Sequence, residues 1–299
     1  VDRLQAMKAY VAVVDSGGFT PAARKLDVSL SVVSRFVTEL EAHLGARLLT
    51  RTTRVVRPTE AGMAYFENCK RILGEIEEAE LTAAGAHATP RGQLVLTAPV
   101  LFGGRYVTPI VVDYLQRYPE VDVNCLFLDR NVNIVDEGVD VGIRIGELPS
   151  SSLQAITVGR VRRVVCASPA YLDRHGVPKT PDDLGRHTLI HTTSVSTLPE
   201  WRFRHDDEPL AVRITPRMAT STNDSAIAAA VAGLGLVRVL SYQVAAELWD
   251  GRLRLVLVDH EPTPSPIQVI HREGRHAMQK VRSFLDFAIE RLRTDKALN

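Results

Sequence analysis

Apolar residues recur along the first sixty positions with helical spacing. Leu4, Met7, Val11 and Val14 stand at i, i+3, i+7 and i+10, and the glycines at 17 and 18 end the run. Thr20 is placed to cap a second helix with Pro21 at its first position, where the missing N–H costs nothing; Ala22 and Ala23 are small enough to let another helix cross closely. After DVS a third helix should run to Leu44, with Gly45 where a helix end favours the left-handed conformation. On a helical wheel Val37, Leu40 and Leu44 fall within about 40° of Val33, whereas Ser31, Arg35 and Thr38 lie roughly opposite and Ser34 to one side. A solvated face usually carries Glu, Lys and Gln. A stripe of short hydroxyls around a guanidinium points instead to contact with a surface.

Two short β-prone runs follow in RLLTRTTRVVR, residues 47–57, and predict a hairpin with a basic tip. Thr59 can cap a long helix over about 60–84, in which Phe66, Leu73, Ile76 and Ala83 fall near heptad spacing. At about 1.5 Å per residue it would reach nearly 40 Å. Its apolar seam has two uses, packing on its own chain or pairing with a second subunit, and the acidic opposite face (Glu75, Glu77, Glu78, Glu80) favours the second. ATPRGQ, residues 88–93, reads as a linker. Strand and helix patterns then alternate: LVLTA, a helix from about Phe102 to Arg117, VDVNCLFL, a short helix to Glu137, and VDVGIRI. A second series runs through VVCAS near Arg163, LAVRI, the helix DSAIAAAVAG and LVRVL, before IQVIH and a closing helix over about Ala277 to Leu292. Such alternation predicts two α/β lobes, each with a parallel sheet covered by helices, and a cleft between them.

Composition adds little until it is divided along the chain. The 299 residues are 45% hydrophobic and 24% charged, the profile of a globular protein long enough for two or three domains. The net charge is only +1, yet residues 1–58 carry nine Lys and Arg against five Asp and Glu. Residues 59–88 carry six Glu against Lys70 and Arg71, so a basic head precedes an acidic stalk. Three widely spaced cysteines (Cys69, Cys125, Cys166) supply neither a disulfide framework nor a metal motif, and a reducing cytoplasm suits them. No secretory signal or membrane span is expected; the longest apolar run, Ala226 to Val237, is too short to cross a bilayer.

The candidate chemistry is thin. AGLGL at 232–236 lacks the third glycine of a dinucleotide fingerprint and follows a helix rather than a strand, so it reads as a turn. His271 and His276 in HREGRH match no helical zinc pair, and no nucleophile elbow is present. No catalytic set, metal site or cofactor is expected. A helix-turn-helix with a basic wing would instead lay its third helix in the major groove of double-stranded DNA while the wing follows the backbone. The competing reading is a solute-binding or catalytic α/β protein whose head serves only to oligomerise.

The segment LQAMKAYVAVVDSGGFTPAARKLDVSLSVVSRFVTELEAHLGARLLTRTTRVVRPTEAG closely resembles the head of bacterial LysR-type transcriptional regulators, and the likeness continues through RIGELPSSSL, SPAYLDRHG and WRFR. The resemblance implies a winged helix-turn-helix head of all-α type (1–58), a long dimerising linker helix (59–88) and a two-lobed, periplasmic-binding-protein-like α/β effector domain (89–299). The first lobe would be about 92–161 with 267–299, the second about 162–266. It further implies a cytoplasmic regulator, not an enzyme, that binds a small-molecule effector and assembles as a homotetramer, a dimer of dimers, with RNA polymerase as a further candidate partner.

Carried over by position, Ser31, Ser34, Arg35 and Thr38 would face the groove, and Arg51, Thr53 and Arg54 would lie on the wing. Two departures matter: Leu30 stands where the family usually has proline, and Phe36 where it has glutamine, about 60° from the core stripe and placed to pack at the domain edge. In the effector domain, Pro99, Val100 and Leu101 occupy a place usually given to a small polar residue, and Leu128 a second one, beside Asp129. The cleft mouth is therefore expected to be more apolar than in regulators of aromatic acids. Arg144 and Asn223 remain as polar effector contacts, with a structural ion pair the alternative for Arg144.

Overall fold

In a computed structural model the chain divides into two compact units, Val1–Gln93 and Leu94–Asn299. The structure describes residues 2–51, 56–83, 89–130, 132–134, 136–148, 153–193, 198–206, 208–271 and 278–298.

The first unit is a three-helix head with a short hairpin and a stalk: α1 (Arg3–Asp15), α2 (Phe19–Lys25), α3 (Leu30–Leu44), β1 (Leu49–Arg51), β2 (Val56–Pro58) and α4 (Glu60–Ala83). Asp2 caps α1 by accepting from the amides of Leu4 and Gln5 at 3.0 and 3.3 Å. The buried face of α1 is Ala6, Ala9, Tyr10 and Val13, with Met7 beside them. It is rotated from the stripe predicted by spacing; Leu4 is exposed and Val11 and Val14 only half-buried. The alanines permit close helix crossing, and the buried Tyr10 hydroxyl donates to the Gly62 carbonyl at 2.8 Å. Helix α2 starts two residues earlier than expected, with Gly18 rather than Thr20 at its cap and Pro21 in its third position.

In α3 the predicted core residues Val33, Val37 and Leu40 are buried, while Leu44 is exposed. Ser29 caps the helix by accepting from Val32, and Gly45 closes it at φ +63°. The hairpin pairs Leu49 with Pro58 and Arg51 with Val56 in antiparallel register; its basic tip, with Thr53 and Arg54, lies outside the described residues. Thr59 caps α4 as predicted, accepting from the Gly62 amide at 2.9 Å. Phe66 and Cys69 of α4 are buried in the head core, with Ile72 and Leu73 against it, so the start of the apolar seam packs on its own chain.

The second unit holds two five-stranded sheets. The first contains β3 (Gly92–Ala98), β4 (Val121–Phe127), β5 (Val141–Ile145), β6 (Gln154–Val161) and β14 (Ser265–His271), in the order β4-β3-β5-β14-β6. A continuous helical run after β3 comprises the turn α5 (Val100–Phe102), a π-type turn at Gly103–Val107 and α6 (Thr108–Arg117). Helix α10 (Gln279–Thr294) buries Val281, Phe284, Leu285, Ala288 and Leu292 in the same core as α6.

The second sheet contains β7 (Arg163–Ala167), β8 (Leu189–Thr192), β11 (Met218–Thr220), β12 (Leu236–Leu240) and β13 (Arg254–Val256), in the order β11-β8-β12-β7-β13. Helix α7 (Pro169–His175) follows β7, α8 (Asn223–Val231) follows β11, and α9 (Ala245–Trp249) follows β12.

Both sheets are mixed rather than parallel. β14 runs antiparallel to β5 and β6, and β12 antiparallel to β7, because the chain crosses between lobes in mid-sheet instead of completing each lobe in turn. LAVRI falls on β10 (Glu208–Arg213), which among the described residues pairs only with β9 (Glu200–His205), in a hairpin apart from the lobe sheet. Residues 136–138 form a turn, so the predicted helix ending at Glu137 is absent among the described residues there. AGLGL is the helix-to-strand turn expected, with Gly233 at φ +83°.

Candidate DNA interface and ligand cleft

Ser31, Arg35 and Thr38 are exposed along one side of α3 and Ser34 is half-buried beside them. Their polar groups are partly occupied by the helix itself. Ser31 Oγ lies 2.9 Å from the capping Ser29 Oγ, and Thr38 Oγ1 donates to the Ser34 carbonyl at 2.8 Å. Phe36 packs against the head core, and the Arg35 guanidinium stacks over its ring at 5.6 Å. Phe36 therefore braces the one cation of this helix face. Glu41 accepts from the amides of Leu48 and Leu49 at 2.8 and 3.0 Å, tying the end of α3 to the start of the hairpin. No sequence pattern had marked that residue.

Between the two sheets of the second unit lies a cavity of about 420 Å³. The first lobe contributes Pro99 after β3, Leu128 and Asp129 after β4, and Arg144 with Ile145 on β5. The second contributes Arg163 on β7, His191 and Thr192 on β8, Trp201 on β9, Arg238 on β12 and Asn223 at the start of α8. Five of the seven effector residues expected from sequence thus line one cavity. Val100 and Leu101 do not: Val100 is exposed and its amide donates to Asp129 at 3.0 Å, and Leu101 packs against the cores of both lobes.

The cavity is rich in guanidinium groups: Arg130, Arg144, Arg163, Arg202 and Arg238 all line it. Arg130 pairs with Glu137 at 2.7 Å and Arg202 with Glu200 at 3.2 Å, both near the surface. Among the described residues Arg144 forms no ion pair; it donates to the Ile143 carbonyl and to Thr97. Burial lowers its pKa and that of Arg163. Burial first, then the charges of Arg163 and Arg202, push Arg238 down to about 9. All three stay protonated at neutral pH, so the cost falls on stability rather than on charge. The Nε of Arg238 and the Nε2 of His191 are buried with no hydrogen-bond partner.

Among the described residues no cluster could hold a metal ion, and no helix is long and apolar enough to cross a membrane. Burial pushes the Cys69 thiol up to about 11 and Cys166 up to about 12, so both are unreactive packing groups.

The family model described as the bacterial regulatory helix-turn-helix of the lysR family matches residues 4–63, and the LysR substrate binding domain matches residues 87–293. The chain belongs to the LysR family. It is a DNA-binding transcriptional regulator and not an enzyme, and the family's members take a small molecule and self-associate. This LysR-type regulator is 30% identical over 287 residues to the regulator CrgA of Neisseria meningitidis serogroup B, covering 96% of both chains. It is 31% identical to the activator AaeR of Escherichia coli K12, covering 97% of this chain and 95% of that one. The solved structure of CrgA superimposes with a TM-score of 0.62 over 96% of this chain and 98% of that one. Full-length AphB of Vibrio cholerae, 26% identical, does so at 0.63 over the same shares.

Proposed function

We propose that this LysR-type regulator reads promoter DNA with α3, Ser31, Ser34, Arg35 and Thr38 facing the major groove while Arg51, Thr53 and Arg54 follow the backbone. Paired heads joined through the helix within residues 59–88 read two half-sites, and two such dimers form the working tetramer. An effector seated among Pro99, Leu128, Asp129, Arg144 and Asn223 changes promoter occupancy in the cytoplasm, and RNA polymerase receives the change. The observation that carries this reading is the exposed stripe of Ser31, Arg35 and Thr38 opposite the buried stripe of Val33, Val37 and Leu40.

The test is binding of the full-length protein to the DNA upstream of its own gene across a salt series. Arg35→Ala should weaken binding by roughly tenfold or more, as expected for loss of one charged DNA contact. If Arg35 meets a phosphate, the salt slope should also fall by about 0.9. Binding indifferent to the substitution, or absent at low salt, overturns the proposal.

A further inference from the structure

The ligand cleft carries a charge pattern that neither lobe satisfies alone. Arg163 and Arg238 lie on neighbouring antiparallel strands: Arg238 is opposite Val165, two residues from Arg163. That register puts both side chains on one face of the sheet, as diagonal neighbours roughly 7–8 Å apart. Both are half-buried, and among the described residues neither has a carboxylate partner. Arg144 approaches from the other lobe, also without an ion pair.

Counting Glu137, which neutralises Arg130, five guanidiniums meet only Asp129, Glu137 and Glu200, leaving two positive charges in the cavity. Two like charges held together out of bulk water destabilise the empty site, and a bound carboxylate relieves this through charge-assisted, fork-shaped hydrogen bonds. The unpartnered Nε of Arg238 and Nε2 of His191 are further polar atoms awaiting a ligand. Pro99, Leu128 and Trp201 add apolar wall to the same cavity.

Resting on the reading of this cavity as the effector site, we infer that it takes a small dicarboxylate that bridges the lobes. One carboxylate is held by Arg163 and Arg238 and the other by Arg144. A monoacid serves one lobe only, and an inorganic phosphate carries two charges but cannot reach both sides. The cavity of about 420 Å³ leaves room for a short carbon chain between the two groups.

The test uses the full-length protein in calorimetric titrations and thermal-shift measurements. Succinate, glutarate and adipate are each compared with the corresponding monoamide, and inorganic phosphate is included. At least one diacid should bind ten times or more tightly than its monoamide, and Arg144→Gln and Arg238→Gln should each weaken it by tenfold or more. Without ligand, Arg238→Gln should melt close to the parent, loss of the bond to the Arg202 carbonyl and of the stacking on Phe203 being offset by relief of the buried charge, and Arg144→Gln, which touches neither contact, separates lost binding from lost folding.

Equal binding of diacid and monoamide overturns the inference. So do binding of phosphate alone, no binding by any diacid, and indifference to Arg144→Gln. A neutral or monoanionic ligand blocked by Arg238→Gln would keep the effector site and sink only the dicarboxylate. Ligand binding insensitive to every cleft substitution would sink the effector site itself.

Discussion

Glu41 shows how one side chain sets the relation between α3 and the hairpin. Its carboxylate satisfies the amides of Leu48 and Leu49, both buried residues, so removing it strands two donors at once. Glu41→Ala should cost the head about 1–3 kcal/mol, read as a lower melting temperature, and should weaken DNA binding beyond that by loosening the hairpin. The stripe of Ser31, Arg35 and Thr38 was legible in the sequence because helical periodicity alone sorts it from Val33, Val37 and Leu40. Arg163 and Arg238 were not. They are far apart in sequence and meet only because the strands bearing them pair antiparallel. The available signal was the charge interrupting the apolar strand LVRVL, where a partner or ligand is required.

Among the elements, the short helices α7 and α9 were not legible and the helix expected to end at Glu137 is a turn, whereas the longer helices and most strands could be read from period and turn chemistry, including the caps at Thr59 and Gly45. Strand direction could not. Alternation of strand and helix predicts parallel sheets, but β14 returns late to the middle of the first sheet and reverses it, a pairing set by long-range chain crossing. The union of α4 with the head was also hidden, because it depends on a close approach at Gly62. A Cβ there would fall on the Leu48 carbonyl oxygen and crowd the Tyr10 hydroxyl. Gly62→Ala should therefore destabilise the head by about 1–3 kcal/mol even though alanine favours helix. Urea denaturation of the purified protein, followed by helical circular dichroism, checks this, and unchanged stability would show that α4 can shift away from β1.

For the whole molecule, the two tryptophans report on different regions. Trp201 is 2% exposed and lines the cavity between the two sheets, whereas Trp249 is 91% exposed at the end of α9. Acrylamide should quench Trp249 readily and Trp201 poorly, and a cleft ligand should alter only the protected emission. Trp249→Phe should leave the ligand response intact, while Trp201→Phe should abolish it; a response that follows Trp249 would place the ligand elsewhere. The stacking of Arg35 on Phe36 has a consequence at this scale too. A helix that spends a residue on bracing specifies its operator at fewer base pairs, so a genome offers it more near-matches. Under the proposed groove contact and pairing of heads, picking the correct promoter from those decoys would fall to the spacing between the heads, and such a regulator would tolerate drift in the letters of its half-sites better than drift in the distance between them.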